Sequence, residues 1–148
     1  MTRVEASVVI NRPIDEVFAY VIDVRNWPEW TGFPEVKQTS EGPVGVGTTF
    51  WGVSEFMGRR AEWTSEVTNY ELNSTVEQKI AWGSMSIEQS LTFEPVEGGT
   101  KYTQAGETEI GGFFKVAEPI AKRTMQKQLE ASLVKLKDVL EAQAEGSA

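Results

Sequence analysis

Residues 8–30 read VVINRPIDEVFAYVIDVRNWPEW and contain a strand end, a helix start and a chain break in close succession. The segment leading into them, VEASVVI at residues 4–10, is rich in β-branched residues and predicts a strand. Pro13 follows, with Asp15 and Glu16 behind it, and these are helix start signals because proline suits the first turn of a helix and carboxylates suit its positive end. Residues 17, 18, 21 and 22 are apolar at helical spacing. The pattern predicts a strand, a first helix, and then a short second helix or turn broken at Pro28.

Residues 33–110 have the character of strands separated by turns. Glycine, proline and asparagine interrupt this segment at residues 42–47, 57–58, 72–74, 83 and 97–99. The spacing of these turn signals predicts six strands in an antiparallel meander. The strand at residues 4–10 brings the expected total to seven.

After residues 111–112 the apolar period changes from two to about 3.6, which indicates a helix. The apolar side of this segment is formed by Val116, Ile120, Thr124, Leu129, Leu133, Leu136 and Leu140. We expect one long helix over residues 119–142, about 36 Å at 1.5 Å per residue, which is long enough to cross a small sheet. The order of elements predicts a single α+β domain over residues 1–148, with a frayed tail at residues 144–148.

The composition excludes several kinds of chemistry. The chain has no cysteine and no histidine, so disulfides, thiolate or imidazole metal ligands, cysteine nucleophiles and Ser-His-Asp catalysis are impossible. The acidic residues show no clustered spacing typical of a calcium or magnesium site. We therefore predict no metal, no cofactor and no recognisable catalytic residue.

The charge and hydropathy patterns limit the partners and the location. With 14 basic and 22 acidic residues the net charge is −8, which disfavours binding to a nucleic-acid backbone. No apolar run approaches the ~18 residues of a membrane span, and the N-terminus has no signal-peptide pattern. We expect a cytoplasmic protein without integral membrane association and without a nucleic-acid partner.

Alternation along the strands assigns one side of each strand to the interior. This inner set contains apolar, aromatic and amide side chains, among them Trp63, Gln78, Trp82, Gln89, Tyr102 and Gln104. A buried amide without a partner costs about 1–3 kcal/mol, so three glutamines on one face favour a concave, partly wet cavity. Alternatively, the glutamines reach solvent at strand ends or pair with one another.

Strand alternation does not decide the roles of three further aromatic residues, Phe50, Trp27 and Trp30. The facing of residues 48–56 stays open, because Phe50 shares one side with Phe56 while Trp51 shares the other with Val53. Trp27 and Trp30 are interpreted as packing residues rather than ligand contacts.

The order of strand, two small helices, six-stranded meander and long C-terminal helix resembles the START/Bet v 1-like superfamily, in its polyketide cyclase/dehydrase-like branch. The resemblance rests on Ile10, Pro13, Val17, Phe18, Asp23 and Trp30 within residues 8–30. It also rests on GVGTTF at residues 45–50, FEPVEGGTKYT at 93–103 and LVKLKDVLEA at 133–142. It implies a helix-grip fold, in which the long helix packs across a curved sheet above a cavity.

Two functions remain open. The first is binding of a hydrophobic or amphipathic small molecule, lipid-like or aromatic, and the second is a cyclase or dehydratase reaction on a polyketide-like substrate in the same cavity. Because no inward acid or base stands out, the sequence favours binding. We expect a monomer or homodimer. The expected ligand contacts are Phe50, Trp63, Trp82, Gln89, Tyr102 and Gln104, with Ile120 and Thr124 placed above them by the family architecture. Replacing Gln104 with leucine is expected to leave stability nearly unchanged.

Overall fold

The structure is a computed structural model that describes residues 2–56, 58–83, 85–108 and 118–146. Its strands are β1 Thr2–Ile10, β2 Glu35–Gln38, β3 Thr49–Phe56, β4 Arg59–Glu71, β5 Thr75–Trp82, β6 Met85–Val96 and β7 Gly99–Thr108. Its helices are α1 Ile14–Ile22, α2 Trp27–Thr31 and α3 Glu118–Gly146, with a 3-10 turn at Val24–Asn26. The strands form one curved antiparallel sheet in the order β1-β7-β6-β5-β4-β3-β2, which confirms the predicted α+β helix-grip architecture.

Helix α1 forms where the sequence signals place it. Pro13 precedes its first turn in an extended conformation, with φ −60° and ψ 149°, and so separates the helix from β1. The apolar side of α1 is buried through Val17, Phe18 and Val21. The ring of Phe18 meets the ring of Phe93 on β6 edge to face, with centroids 4.9 Å apart. Helix α1 therefore closes one end of the concave side of the sheet.

The predicted break at Pro28 is wrong, because the chain turns earlier. Asp23 ends α1, and its carboxylate accepts a hydrogen bond from the backbone N–H of Arg25 at 3.0 Å, which caps the 3-10 turn. Pro28 lies in the first turn of α2, where a missing N–H costs no helical hydrogen bond. Gly32 ends α2 in the left-handed conformation, with φ 78°.

The strands alternate as the sequence predicts. On β4, for example, Trp63, Ser65 and Val67 are buried while the residues between them are exposed. The open question at β3 is settled by Phe50, which is 2% exposed and packs on the concave side. Trp51 lies on the convex side, where the Lys37 ammonium stands 5.2 Å from its ring centroid.

The C-terminal half of α3 packs on the sheet through the buried residues Leu133, Leu136 and Leu140. Its last turns are tied to the connection between β1 and α1. Arg12 Nη1 donates to the carbonyl oxygen of Leu140 at 2.8 Å, and the backbone N–H of Asn11 donates to Glu141 Oε2 at 2.9 Å. This end of the helix is thus held by both apolar packing and hydrogen bonds.

Helix α3 begins one residue before the predicted start and continues to Gly146. Its 29 residues span about 44 Å. Two inner positions assigned from the sequence, Ile110 and Val116, lie outside the described residues, as do residues 147–148 of the predicted tail. Within the described ranges, no helix combines the length and the apolar character needed to cross a membrane.

A close backbone approach at the start of β7 yields a test of this fold. A Cβ atom on Gly99 would lie 2.0 Å from the carbonyl oxygen of Ile10, which belongs to the neighbouring strand. Gly99→Ala is therefore expected to lower the free energy of unfolding by about 1–3 kcal/mol, since backbone atoms must shift. Chemical denaturation measures the change.

Gly45→Ala is the matched control, because a Cβ atom there meets no atom within 4 Å. We expect this control to retain the stability of the unsubstituted protein. Equal stability of the two variants would contradict the described pairing of β1 with β7.

Candidate functional site

A cavity of about 260 Å³ lies between the concave side of the sheet and the N-terminal half of α3. Its wall is mostly apolar and includes Val21, Trp27, Trp30, Phe33, Trp63, Ile80, Trp82, Ile87, Leu91, Met125 and Leu129. The cavity exists because the large apolar side chains of α3 that reach the core, from Leu133 onward, are concentrated in its C-terminal half. An apolar wall with a few polar groups is typical of small-molecule sites.

Five of the side chains predicted from alternation line this cavity: Trp63, Trp82, Gln89, Tyr102 and Gln104. They come from β4, β5, β6 and β7, so the curvature of the sheet brings four strands to one space. Their position is a structural observation, and their contact with a ligand stays a prediction.

Phe50 does not line the cavity. It lies on the predicted side of β3, but its ring packs against Trp27, with centroids 4.7 Å apart, and is part of the closed core. The next inner position on the strand is Gly52, where a Cβ atom would lie 2.4 Å from the Trp63 ring. The indole of Trp63 occupies this gap.

Ile120 and Thr124 are also absent from the cavity wall. Ile120 is 63% exposed, and the Thr124 hydroxyl donates to the carbonyl oxygen of Ile120 at 3.0 Å within the helix. The residues of α3 that line the cavity are Met125, Gln128, Leu129 and Ser132. Ile120 and Thr124 each lie one residue before a residue on the inner side of the helix, Ala121 and Met125. A shift of one residue rotates the position on a helix by about 100°.

The sequence marks the inner side of this half of α3 only weakly. Ala121 is buried, and with Met125, Gln128 and Ser132 it follows the spacing of a single helix side. Three of these residues, Ala121, Gln128 and Ser132, are small or polar, so hydrophobicity alone did not distinguish this side from the exposed residues nearby. Trp30, interpreted as a packing residue, both lines the cavity and packs edge to face on Tyr102, with centroids 6.5 Å apart.

A polar stripe crosses the sheet side of the cavity. Gln78 Nε2 donates to Gln89 Oε1 at 3.3 Å, from β5 to β6. On β7 the Tyr102 hydroxyl donates to Gln104 Oε1 at 2.8 Å. The glutamines therefore line the cavity, and two of them, Gln78 and Gln89, also pair with each other. The Gln104 amide N–H groups form no hydrogen bond to any described residue.

Indole N–H groups of the cavity wall are buried without partners among the described residues. Nε1 of Trp30 and Nε1 of Trp63 are buried without a hydrogen-bond acceptor among the residues that the structure describes. A buried donor without a partner costs about 1–3 kcal/mol. The apolar wall thus carries polar groups whose bonding capacity is not used by any residue that the structure describes.

The titratable groups of the cavity offer little acid–base chemistry. Among the described wall residues, two are titratable, Tyr102 and Glu55. Complete burial raises the pKa of Tyr102 well above the ordinary value, so the phenol stays neutral and acts as a donor. No cluster of acidic residues that could hold a metal ion occurs in the described ranges.

The chain matches the family described as polyketide cyclase / dehydrase and lipid transport over residues 1–141. It belongs to this family. The match covers both the sheet and most of the long helix, so the family assignment applies to the whole fold that encloses the cavity. A comparison with curated proteins found no match.

Solved structures share this fold at low sequence identity. TTHA0849 from Thermus thermophilus is 20% identical with a TM-score of 0.81, and the alignment covers 95% of this chain and 98% of that one. Ara h 8.0201 is 15% identical with a TM-score of 0.68, covering 94% and 97%. DynU16, from the dynemicin biosynthetic locus, is 17% identical with a TM-score of 0.69, covering 95% of this chain and 48% of its own. This family member therefore has a fold of the Bet v 1-like type.

The bond between Tyr102 and Gln104 changes the expected result for Gln104→Leu. Because the substitution removes the acceptor of a buried hydroxyl, it should lower the free energy of unfolding by about 1–3 kcal/mol. Replacing both partners, as Tyr102→Phe with Gln104→Leu, should recover most of this loss. Urea denaturation of the four proteins forms a double-mutant cycle, and additive effects would contradict the hydrogen bond.

Proposed function

We propose that the protein binds a hydrophobic or amphipathic small molecule, lipid-like or aromatic, in the cavity between the sheet and α3. The observation that carries this proposal is an apolar cavity of about 260 Å³ whose wall also holds amide and indole N–H groups without partners among the described residues. The apolar wall contributes affinity through buried area and aromatic contact, and the polar stripe orients the ligand. Membership of a family whose description includes lipid transport agrees with this function.

A cyclase or dehydratase reaction in the same cavity is the alternative. Such a reaction moves protons on and off the substrate, usually with a positioned acid or base. The Tyr102 hydroxyl already donates to Gln104, and burial raises its pKa, so it does not serve as a base at neutral pH. Glu55, the other titratable group of the described wall, is exposed at the rim. Binding without chemistry is therefore the function that the geometry supports better.

Titration with N-phenyl-1-naphthylamine, a neutral dye that fluoresces in apolar surroundings, tests the proposal. We expect saturable binding with one site per chain. Trp82→Ala should weaken it about three- to tenfold, the effect of losing one aromatic contact and its buried area. Trp51→Ala is the matched control, because Trp51 lies on the convex side of the sheet. Its affinity should stay unchanged.

Native mass spectrometry of freshly purified protein gives an independent measurement. A bound molecule of defined mass that the dye displaces would agree with the proposed site. Dye emission that rises without saturation, or falls equally in both tryptophan variants, would contradict binding in this cavity.

A further inference from the structure

Carboxylates are almost completely excluded from the cavity. The chain has 22 acidic residues, yet among the described residues of the wall Glu55 is the single carboxylate. Glu55 stands opposite Arg60 in the pairing of β3 with β4, and alternation gives both residues the register of the convex side, so no carboxylate of the described wall has the inner register. A chain with a net charge of −8 thus encloses a space whose described wall is almost free of negative side chains.

A cation lies at the end of the pairing between β3 and β4, next to the pair that contains the wall residue Glu55. Arg59 begins β4 and precedes the inner residues Ala61 and Trp63 by two and four positions, so it has the register of the concave side. Its partner across β3 is Phe56. Arg59 is exposed and forms no ion pair with any residue in the described ranges.

Helix α3 reaches the same edge. Gln128, a residue of the cavity wall, donates through Nε2 to the carbonyl oxygen of Glu55 at 3.3 Å. This contact brings the helix to the end of β3, one residue before Phe56. Lys122 lies three positions before the wall residue Met125, about one helical turn away, and is also exposed without an ion pair to described residues. Two cations therefore lie near wall residues at this edge, Arg59 beside the Glu55–Arg60 pair and Lys122 one turn before Met125.

We propose that the ligand is an anionic amphiphile, whose carboxylate stays at the mouth beside Arg59 while its apolar body fills the cavity. This inference rests on the proposed binding function. The planar guanidinium matches a carboxylate with two parallel hydrogen bonds, and an exposed position spares the anion the cost of full desolvation. Because the net charge repels anions at long range, a local cation is needed to retain one.

Competition against N-phenyl-1-naphthylamine tests the inference. The competitors are 2-naphthoate and 2-naphthamide, which have nearly the same shape and differ in charge. The unsubstituted protein should prefer the carboxylate about two- to fivefold, the range of an exposed ion pair. Arg59→Gln should abolish the preference, and Arg59→Lys should retain part of it. About 1 M NaCl should reduce it, since charges are then screened within about 3 Å.

Arg60→Gln is the matched control, because Arg60 is the next residue along the strand but has the register of the convex side. This variant should keep the preference for 2-naphthoate. Equal displacement by the two competitors, displacement by neither, or the same loss in Arg60→Gln would overturn the inference. In each of these cases the dye itself still binds, so the proposed function stands. Failure of the dye to bind would remove both.

Discussion

The packing of Leu133, Leu136 and Leu140 against the sheet is the contact on which the other features of this molecule depend. The meander forms a single layer, and its concave side needs an apolar cover to be stable. These three leucines provide that cover along the C-terminal half of α3. The N-terminal half follows the same axis but presents Met125, Gln128 and smaller side chains, so it spans a space that it does not fill. One helix thus creates both the core and the cavity.

The inner side of each strand was predictable from the sequence, whereas the inner side of α3 over the cavity was not. Side chains on a strand alternate with a period of two, so one secure inner residue, such as Tyr102, assigns the whole strand. The polar stripe and most of the predicted cavity residues follow from this rule. On a helix the period is not an integer, and an apolar residue such as Ile120 can lie outside. The phase of α3 over the cavity depends on tertiary packing, which the sequence pattern does not contain.

For a related reason, strand alternation does not predict which side chains form hydrogen bonds with each other. Alternation places Gln104 and Tyr102 on one side of β7 but carries no information on whether their side chains meet. It likewise places Gln78 and Gln89 on one side, and the register between β5 and β6 then makes them direct neighbours. The facing of Phe50 needed the contact with Trp27, from an element distant in sequence. Side-chain facing along a strand was thus predictable, whereas contact between elements was not.

The unequal attachment of α3 has a consequence for the motions of the protein. Near its C-terminal end the helix is fixed by buried leucines and by Arg12 and Asn11, so we expect local opening there to cost more free energy than elsewhere in the helix. Over the cavity, the described side-chain hydrogen bonds between α3 and the sheet are exposed to solvent, such as those of Gln126 and Gln128. We expect amide hydrogens in that half to exchange through local opening, at a lower free energy. We therefore expect the roof of the cavity to open at a lower free energy than the core below the other end of α3, without unfolding of the whole domain.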